Sequence, residues 1–166
     1  YSYYSEKYRK HLVKYKVCVI GKLKNDDYCN QLEARFKSEN IIFTDFIDEK
    51  TKLLLYLNAR AFICPSYEEG FGIPVLDAAA MGIHCIVSDI RPHVEIHGIK
   101  DFKNFINLIP TENNNAWYEA LENIFVNKEF DNFDKATKLN RLKRFCNINA
   151  ELKENFKSQL KDILNS

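Results

Sequence analysis

The stretch "YEEGFGIPVLDAAAMG", residues 67–82, places two separated carboxylates, glycines and a helix start within sixteen positions. Glu69 and Asp77 have seven residues between them, and the glycines of the stretch allow the backbone to come close to a ligand. Pro74 has the fixed φ that suits the first turn of a helix, whose N–H groups and positive dipole end favour a phosphate. The stretch therefore predicts a site for a phosphorylated ligand, in which the acids have a separate role.

Each acid taken alone also has a plain structural explanation. An acid in the first turn of a helix complements the macrodipole by about 0.3–1 kcal/mol, which would account for Asp77. Glu69 has the character of a solvated loop acid beside Glu68. Only the combination of both acids with the glycine turn favours a site.

The segments around this stretch alternate between strand and helix. Short β-rich apolar runs predict strands, and a helical spacing of apolar residues predicts the helices between them. In the second helix, Leu53, Leu54 and Leu57 are expected to share one face, with Asp48 as the N-cap. This alternation indicates a doubly wound, mainly parallel α/β sheet with helices on both faces, a Rossmann-like fold. The predicted strands are "YKVCVIG", "IIFTDFI", "AFICPS", "HCIVSD" and "NLIP".

Beyond about residue 130 the pattern becomes all-helical. Leu139, Leu142 and Phe145 form one apolar stripe of the predicted C-terminal helices. A chain of 166 residues with 46% hydrophobic content is long and apolar enough for one globular core. We therefore expect a single domain over residues 1–166, with the α/β core ending near 130.

The composition argues against several classes of function. A formal net charge of +1 gives no global field that would recruit nucleic acid or an anionic membrane. The five cysteines are odd in number and lack CxxC spacing, which is typical of reduced thiols in a cytosolic protein. No apolar run approaches the length of about 18 residues that indicates a membrane span. We expect a cytoplasmic protein that does not bind nucleic acid.

The segment "HVEIH" is the one pattern with the spacing of metal ligands. His93 and His97 are four residues apart and could chelate zinc if they lay on a helix. The preceding "RP" indicates a loop instead, and no third ligand is evident. No metal site is predicted.

The signature "PSYEEGFGIPVLDAAAMG" closely resembles that of retaining glycosyltransferases of sequence family four, the glycosyl transferases group 1, which have the two-domain GT-B fold. Flanking segments between about residues 16 and 125 are similar to the family's C-terminal, donor-binding domain. The ending "RFCNINAELKENFKSQLKDIL" is similar to its closing helices. The resemblance implies half of an enzyme that moves a sugar from a nucleoside-diphosphate sugar to an acceptor, with polysaccharide or glycolipid synthesis as the commonest setting.

The resemblance also assigns roles to individual residues. Glu69 matches the first motif acid, the catalytic-site residue that hydrogen-bonds the donor sugar, and Asp77 matches the second, which holds the ribose hydroxyls. The nucleobase would lie near Gly21, Lys22 and Ile47. No metal or other cofactor is implied beside the nucleotide sugar itself. The backbone that would approach the sugar and the diphosphate belongs to Gly70, Phe71, Gly72 and Ile73.

The chain departs from the family pattern in three ways, one of which is Asp45, which stands where glycine is common. Asp77 stands where glutamate is usual, but an acid one methylene shorter still accepts two hydroxyl hydrogen bonds. The family's N-terminal acceptor domain and the first strand of its donor domain, with the Arg and Lys that neutralise the diphosphate, are absent from this chain. We therefore expect a fragment that transfers no sugar alone, and peripheral association with the inner face of a membrane would depend on the absent domain.

The absent strand also leads to a structural expectation. In the family it lies between the strands that correspond to "KVCVIG" and "AFICPS", and its loss would leave backbone groups unpaired. We expect that these two strands do not pair directly, and that "YSYY", another segment or a partner chain supplies the missing strand.

Two other functions stay open. The same fold could serve as a non-catalytic module that binds a nucleotide or pairs with another subunit, which the missing basic residues favour. A flavodoxin-like signalling domain would explain the alternation of strands and helices, but not the spacing of Glu69 and Asp77.

Overall fold

A computed structural model describes residues 15–21, 27–36, 40–126 and 135–164 of the chain. Two compact units are present, the first ending at Leu53 and the second beginning at Leu54. Each unit contains a parallel sheet with helices between its strands, so the α/β, Rossmann-like class predicted from the sequence is confirmed.

The first unit is built on a parallel pair of short strands. The backbone N–H and the hydroxyl of Thr44 both donate to the carbonyl of Val19, at 2.9 and 3.2 Å, and extend the pairing beyond the strand ends. Asp48 accepts a hydrogen bond of 2.7 Å from the N–H of Thr51, which confirms it as an N-cap and lowers the pKa of its carboxyl group. The elements are β1 (Val17–Val19), α1 (Asp27–Phe36), β2 (Ile41–Phe43) and the start of α2 (Glu49–Asn58).

The second unit contains a parallel three-stranded sheet with the order β3-β4-β5. Its strands are β3 (Ala61–Cys64), β4 (His84–Ser88) and β5 (Ile106–Ile109). Its other helices are α3 (Ile73–Ala80), α4 (Arg91–His97), α5 (Asn114–Val126) and α6 (Lys135–Leu164).

The central strand β4 carries the core of the second unit. Ile86 packs in a buried cluster with Trp117 and Ile124 of α5. Its neighbours Cys85 and Val87 are also fully buried, and successive side chains of a strand point to opposite faces. Both faces of β4 are therefore covered, and the strand can hold the loops at its ends in fixed positions.

Gly82 ends α3. This glycine adopts φ +71°, and its N–H donates to the carbonyl of Ala79 at 2.9 Å. The N–H of Ile83 donates to the carbonyl of Ala78 at 3.0 Å, which completes a Schellman motif. The helix therefore ends where the left-handed glycine places it.

The predicted apolar face of α2 is wrong at one position. Leu54 is half exposed, whereas Tyr56 is buried together with Leu57. The hydroxyl of Tyr56 donates to the carbonyl of Pro74 at 3.1 Å, so the ring can be buried with its polar end satisfied. A pattern of purely apolar residues does not detect such a tyrosine.

The C-terminal prediction also needs correction. The expected helices are one continuous helix over the 30 residues of α6. The sequence between 135 and 164 contains neither glycine nor proline, so nothing in it breaks the hydrogen-bond ladder. On its apolar stripe Leu139 is 48% exposed, so the stripe is only partly covered.

The two segments expected to flank the missing strand belong to different units. In the described residues, "KVCVIG" contributes β1 to the two-stranded sheet and "AFICPS" contributes β3 to one edge of the three-stranded sheet. The segment "YSYY" lies outside the described residues. None of the described helices combines the length and the hydropathy needed to cross a membrane.

Candidate functional site

The signature residues lie in the loop between β3 and α3, at the carboxyl edge of the second sheet. Glu69 is partly buried in this loop, whereas Phe71 and Ile73 are exposed. Parallel sheets bind ligands at this edge, where strands end and helices begin. The loop is therefore in the position that a ligand site requires.

A hydrogen bond from Ser66 orients the carboxylate of Glu69. The hydroxyl of Ser66 donates to Oε1 at 2.8 Å, and Sγ of Cys64 lies 3.9 Å from the same oxygen. Burial raises the pKa of the Cys64 thiol, so the thiol stays protonated at neutral pH and adds no second negative charge there. The carboxylate is thus held by two neutral side chains, those of Ser66 and Cys64.

The end of the neighbouring strand β4 supports this loop. The hydroxyl of Ser88 donates to the carbonyl of Ser66, and Nδ1 of His93 lies 2.9 Å from the carbonyl of Ser88. A carbonyl only accepts hydrogen bonds, so Nδ1 carries a proton. His93 is fully buried, and its role in the structure is to link α4 to the end of β4.

The helical conformation of residues 91–97 corrects the loop predicted there. Pro92 occupies the second helical position, where a proline costs no intrahelical hydrogen bond. The proline after Arg91 therefore marks a helix start. Among the described residues no group of three or more His, Cys, Asp or Glu side chains is placed to hold a metal ion.

Gly72 sets the shape of the turn before α3. It has φ +77°, and a Cβ added there would lie 3.2 Å from both Cδ2 of His93 and Cδ1 of Ile96. Gly70 has no such constraint, because a Cβ added there would meet no atom within 4 Å. The turn thus depends on Gly72 for its shape.

We expect Gly72→Ala to lower the free energy of unfolding by about 1–3 kcal/mol, because it combines a strained left-handed residue with a tight contact to His93. Chemical denaturation of the purified chain measures this difference. The matched control is Gly70→Ala, which should stay within about 0.5 kcal/mol of the parent. Equal losses in the two variants would show that the left-handed turn does not limit stability.

The start of α3 offers fewer amide donors than the sequence suggested. Pro74 has no N–H, and the N–H of Val75 already donates to the carbonyl of Gly72 at 2.9 Å. An anion at this helix start would therefore depend more on the helix dipole and on the turn before it.

The position of Asp77 excludes the helix dipole as the explanation for this acid. Asp77 is the fifth residue of α3, beyond the first turn, which contains no acidic residue. The macrodipole effect falls off within the first turn, so it does not account for an acid at this position. The side chain is partly buried.

The residues predicted near the nucleobase belong to the first unit. Gly21 follows β1 with φ +131°, and Ile47 follows β2 and is partly buried. Because β1 and β2 are parallel, both residues follow the carboxyl edge of the same sheet. Lys22 lies outside the described residues.

Sequence reasoning missed the side chains that support the acidic loop. Ser66 and Ser88 were not singled out, and His93 was considered only as a metal ligand. The signal that could have found the serines is their position, since each follows or ends one of two predicted neighbouring strands. The burial of His93 depends on the packing of α4 and has no local signal.

Several curated proteins are similar to this chain. It is 33% identical over 88 residues to the O-antigen biosynthesis glycosyltransferase WclY of Escherichia coli, which covers 53% of this chain and 24% of that protein. It is 34% identical over 74 residues to the O-antigen chain mannosyltransferase B of Escherichia coli, covering 44% and 19%. It is 35% identical over 71 residues to the O-antigen chain mannosyltransferase RfbU of Salmonella typhimurium, covering 43% and 19%.

These alignments span a quarter or less of the length of the relatives. The match to the family itself is much longer. The sequence profile of the glycosyl transferases group 1 covers residues 5–141, which is most of the chain. Together with a parallel α/β sheet and an acidic loop at its carboxyl edge, this match shows that the chain belongs to the glycosyl transferases group 1.

Proposed function

We propose that this chain is the donor-binding part of a retaining glycosyltransferase, which moves a sugar from a nucleoside-diphosphate sugar to an acceptor. The observation that carries the proposal is the orientation of the Glu69 carboxylate by the hydroxyl of Ser66. Glu69 lies three residues before Gly72, which precedes the first residue of α3. A solvated loop acid would not need this support.

In the proposed complex, Glu69 accepts hydrogen bonds from the hydroxyls of the donor sugar. The backbone between Gly70 and Ile73 approaches the sugar and the diphosphate, and the positive end of the α3 dipole faces the phosphates. Asp77, one turn further along the helix, accepts hydrogen bonds from the ribose hydroxyls.

The chemistry follows from the charge that develops as the leaving nucleotide departs. Cleavage of the sugar–phosphate bond leaves negative charge on the nucleoside diphosphate, and a helix N-terminus stabilises this charge. The acceptor hydroxyl then bonds to the sugar on the face that the leaving group occupied and passes its proton to an oxygen of the departing diphosphate, so the configuration is retained. The proposal requires no metal or other cofactor.

The names of the relatives suggest the first substrates to test. Two of the three are O-antigen chain mannosyltransferases, so a mannose donor and a surface-polysaccharide acceptor come first. The proposed reaction takes place in the cytoplasm, and any peripheral association with the membrane depends on an acceptor domain outside this chain.

Calorimetric titration of the chain with UDP, GDP and ADP tests the nucleotide site. We expect saturable binding of at least one of them, and weaker binding to Gly72→Ala. No saturable binding of any of the three would overturn the proposal and favour a module that pairs with another subunit. Binding of a nucleotide, without transfer by the assembled enzyme, would favour the non-catalytic alternative.

We also propose that the 166-residue chain alone does not transfer sugar. Transfer in a two-domain enzyme needs an acceptor pocket on the facing domain and closure over the cleft. The chain spans a quarter or less of its curated relatives, which agrees with a partner domain elsewhere. Donor hydrolysis or transfer by the purified chain, above the level of a Glu69→Gln variant, would contradict this statement.

A further inference from the structure

A chain of two hydrogen bonds connects the buried end of β4 to the carboxylate of Glu69. Ser88 is the last residue of β4 and is fully buried. Its hydroxyl donates to the carbonyl of Ser66, and the hydroxyl of Ser66 donates to Oε1 of Glu69 at 2.8 Å. Ser66 therefore has its backbone oxygen bound to the neighbouring strand and its side-chain oxygen bound to the acid.

The backbone pairing of the sheet stops before it reaches Ser66. Strand β3 ends at Cys64, which pairs with Val87 of β4. The next residue, Pro65, has no N–H that could extend the ladder. The carbonyl of Ser66 takes its hydrogen bond from the side chain of Ser88 instead. The serine at the end of β4 thus carries the support of the sheet one step beyond the last backbone pair.

Ser88 is itself held on two sides. It pairs with Ile109 of β5, and its carbonyl accepts a hydrogen bond of 2.9 Å from Nδ1 of His93. The ring of His93 is fully buried and also lies against the turn before α3, since a Cβ added at Gly72 would lie 3.2 Å from its Cδ2. The hydroxyl that holds the carbonyl of Ser66 therefore starts from a fixed position.

The orientation of Glu69 matters because a free glutamate in this loop could adopt many conformations. Its side chain is long, and the loop around it contains Gly70 and Gly72. Ordering a flexible side chain when a ligand binds costs conformational entropy, which reduces the affinity. A carboxylate that is already oriented avoids this cost, so it contributes more to the binding of a sugar than a free carboxylate would.

We propose that Ser88 is a positioning residue for the donor sugar: acting through Ser66, it fixes the orientation in which Glu69 meets the sugar hydroxyls. This inference rests on the proposed function, because it takes the sugar of a nucleotide sugar as the partner of Glu69. Ser88 is fully buried and acts only through the loop. Its effect should therefore appear in the preference of the chain for a nucleotide sugar over the corresponding nucleotide.

Calorimetric titration of the 166-residue chain with GDP and GDP-mannose, and with UDP and UDP-glucose, measures this preference as the ratio of the two dissociation constants, nucleotide over nucleotide sugar. We expect Ser88→Ala to lower the ratio at least about fivefold, the scale of coupling between residues of one hydrogen-bond network. Ser88→Cys keeps the bulk of the side chain but is a weaker donor, so it should lower the ratio as well.

A double-mutant cycle tests whether Ser88 acts through Glu69. In a Glu69→Ala background, Ser88→Ala should cause no further loss of the ratio, because the carboxylate that it orients is gone. An unchanged ratio in both Ser88 variants would overturn the proposal, as would an equal loss in the presence and the absence of the Glu69 carboxylate.

The matched control is Cys85→Ala. Cys85 is fully buried in the same strand, and the change also removes one buried heavy atom. Its thiol donates to the carbonyl of Ile83 at 3.2 Å and not to the acidic loop. The control should keep the ratio within about twofold of the parent, even if its melting temperature falls as far as that of Ser88→Ala.

Hydrogen exchange without ligand separates a failure of this inference from a failure of the proposed function. The amides of residues 66–73 should exchange at least about fivefold faster in Ser88→Ala than in Cys85→Ala, whereas those of α5 should exchange alike in both. Equal exchange of the loop in the two variants would overturn the positioning role, whatever the chain binds. Faster exchange of the loop, without binding of either nucleotide pair, would show that Ser88 fixes the loop and that the proposed function is wrong.

Discussion

Glu69→Gln should lower the turnover of the glycosyltransferase that carries this chain by at least about 100-fold. Loss of a charged contact to the reacting sugar costs an amount of this order, because the contact strengthens as charge develops. Glutamine keeps the shape of the side chain and an oxygen that can accept the 2.8 Å hydrogen bond from Ser66. The fold should therefore survive, and kcat with a nucleotide-sugar donor measures the effect.

The matched control is Glu68→Gln, the exposed neighbour in the same loop, which should leave turnover within about twofold of the parent. Melting temperatures of both variants check that folding is intact. If Glu69→Gln turns over within threefold of the parent enzyme, Glu69 does not contact the sugar in the transition state.

If Asp77 holds the ribose as proposed, Asp77→Asn should weaken nucleotide binding by about 1–3 kcal/mol, because charge-assisted hydrogen bonds to the ribose hydroxyls would become neutral ones. The measurement is calorimetric titration of the parent chain and the variant with the nucleoside diphosphate that binds best. The chain should remain folded, since asparagine has nearly the same volume and stays within the helix.

A 2′,3′-dideoxy analogue of the same nucleotide makes this test specific. The parent should lose affinity for the analogue by a similar factor, and Asp77→Asn should bind the nucleotide and its analogue almost equally. Equal affinity of the parent for both ligands would mean that Asp77 does not hold the ribose.

The sequence predicted the turn and the helix start after β3 because their determinants are local. The left-handed conformations of Gly72 and Gly82 and the proline at the start of α3 each depend on a few neighbouring residues. Apolar strands buried on both faces give a strong pattern as well, and β4 was found for this reason.

The sequence could not predict the features that depend on distant contacts. Tyr56 is buried because Pro74 offers an acceptor, and His93 because Ser88 ends a neighbouring strand. Nη2 of Arg144 donates to the carbonyl of Asp101, which lies 43 positions earlier in the chain.

The hydrogen bonds of Arg141 set a lower limit on the piece of chain that can fold as one unit. One nitrogen of this side chain reaches the carbonyls of Tyr56, Leu57 and Ala59, which are 82 to 85 residues earlier. Carbonyls at a helix end have no partner within the helix, so α2 is completed by a residue far along the chain. Truncation before Arg141 would return these groups to solvent, although every strand of the sheet would remain. The final helix is therefore part of the minimal cooperative folding unit, and a domain boundary drawn at the last strand would cut through it.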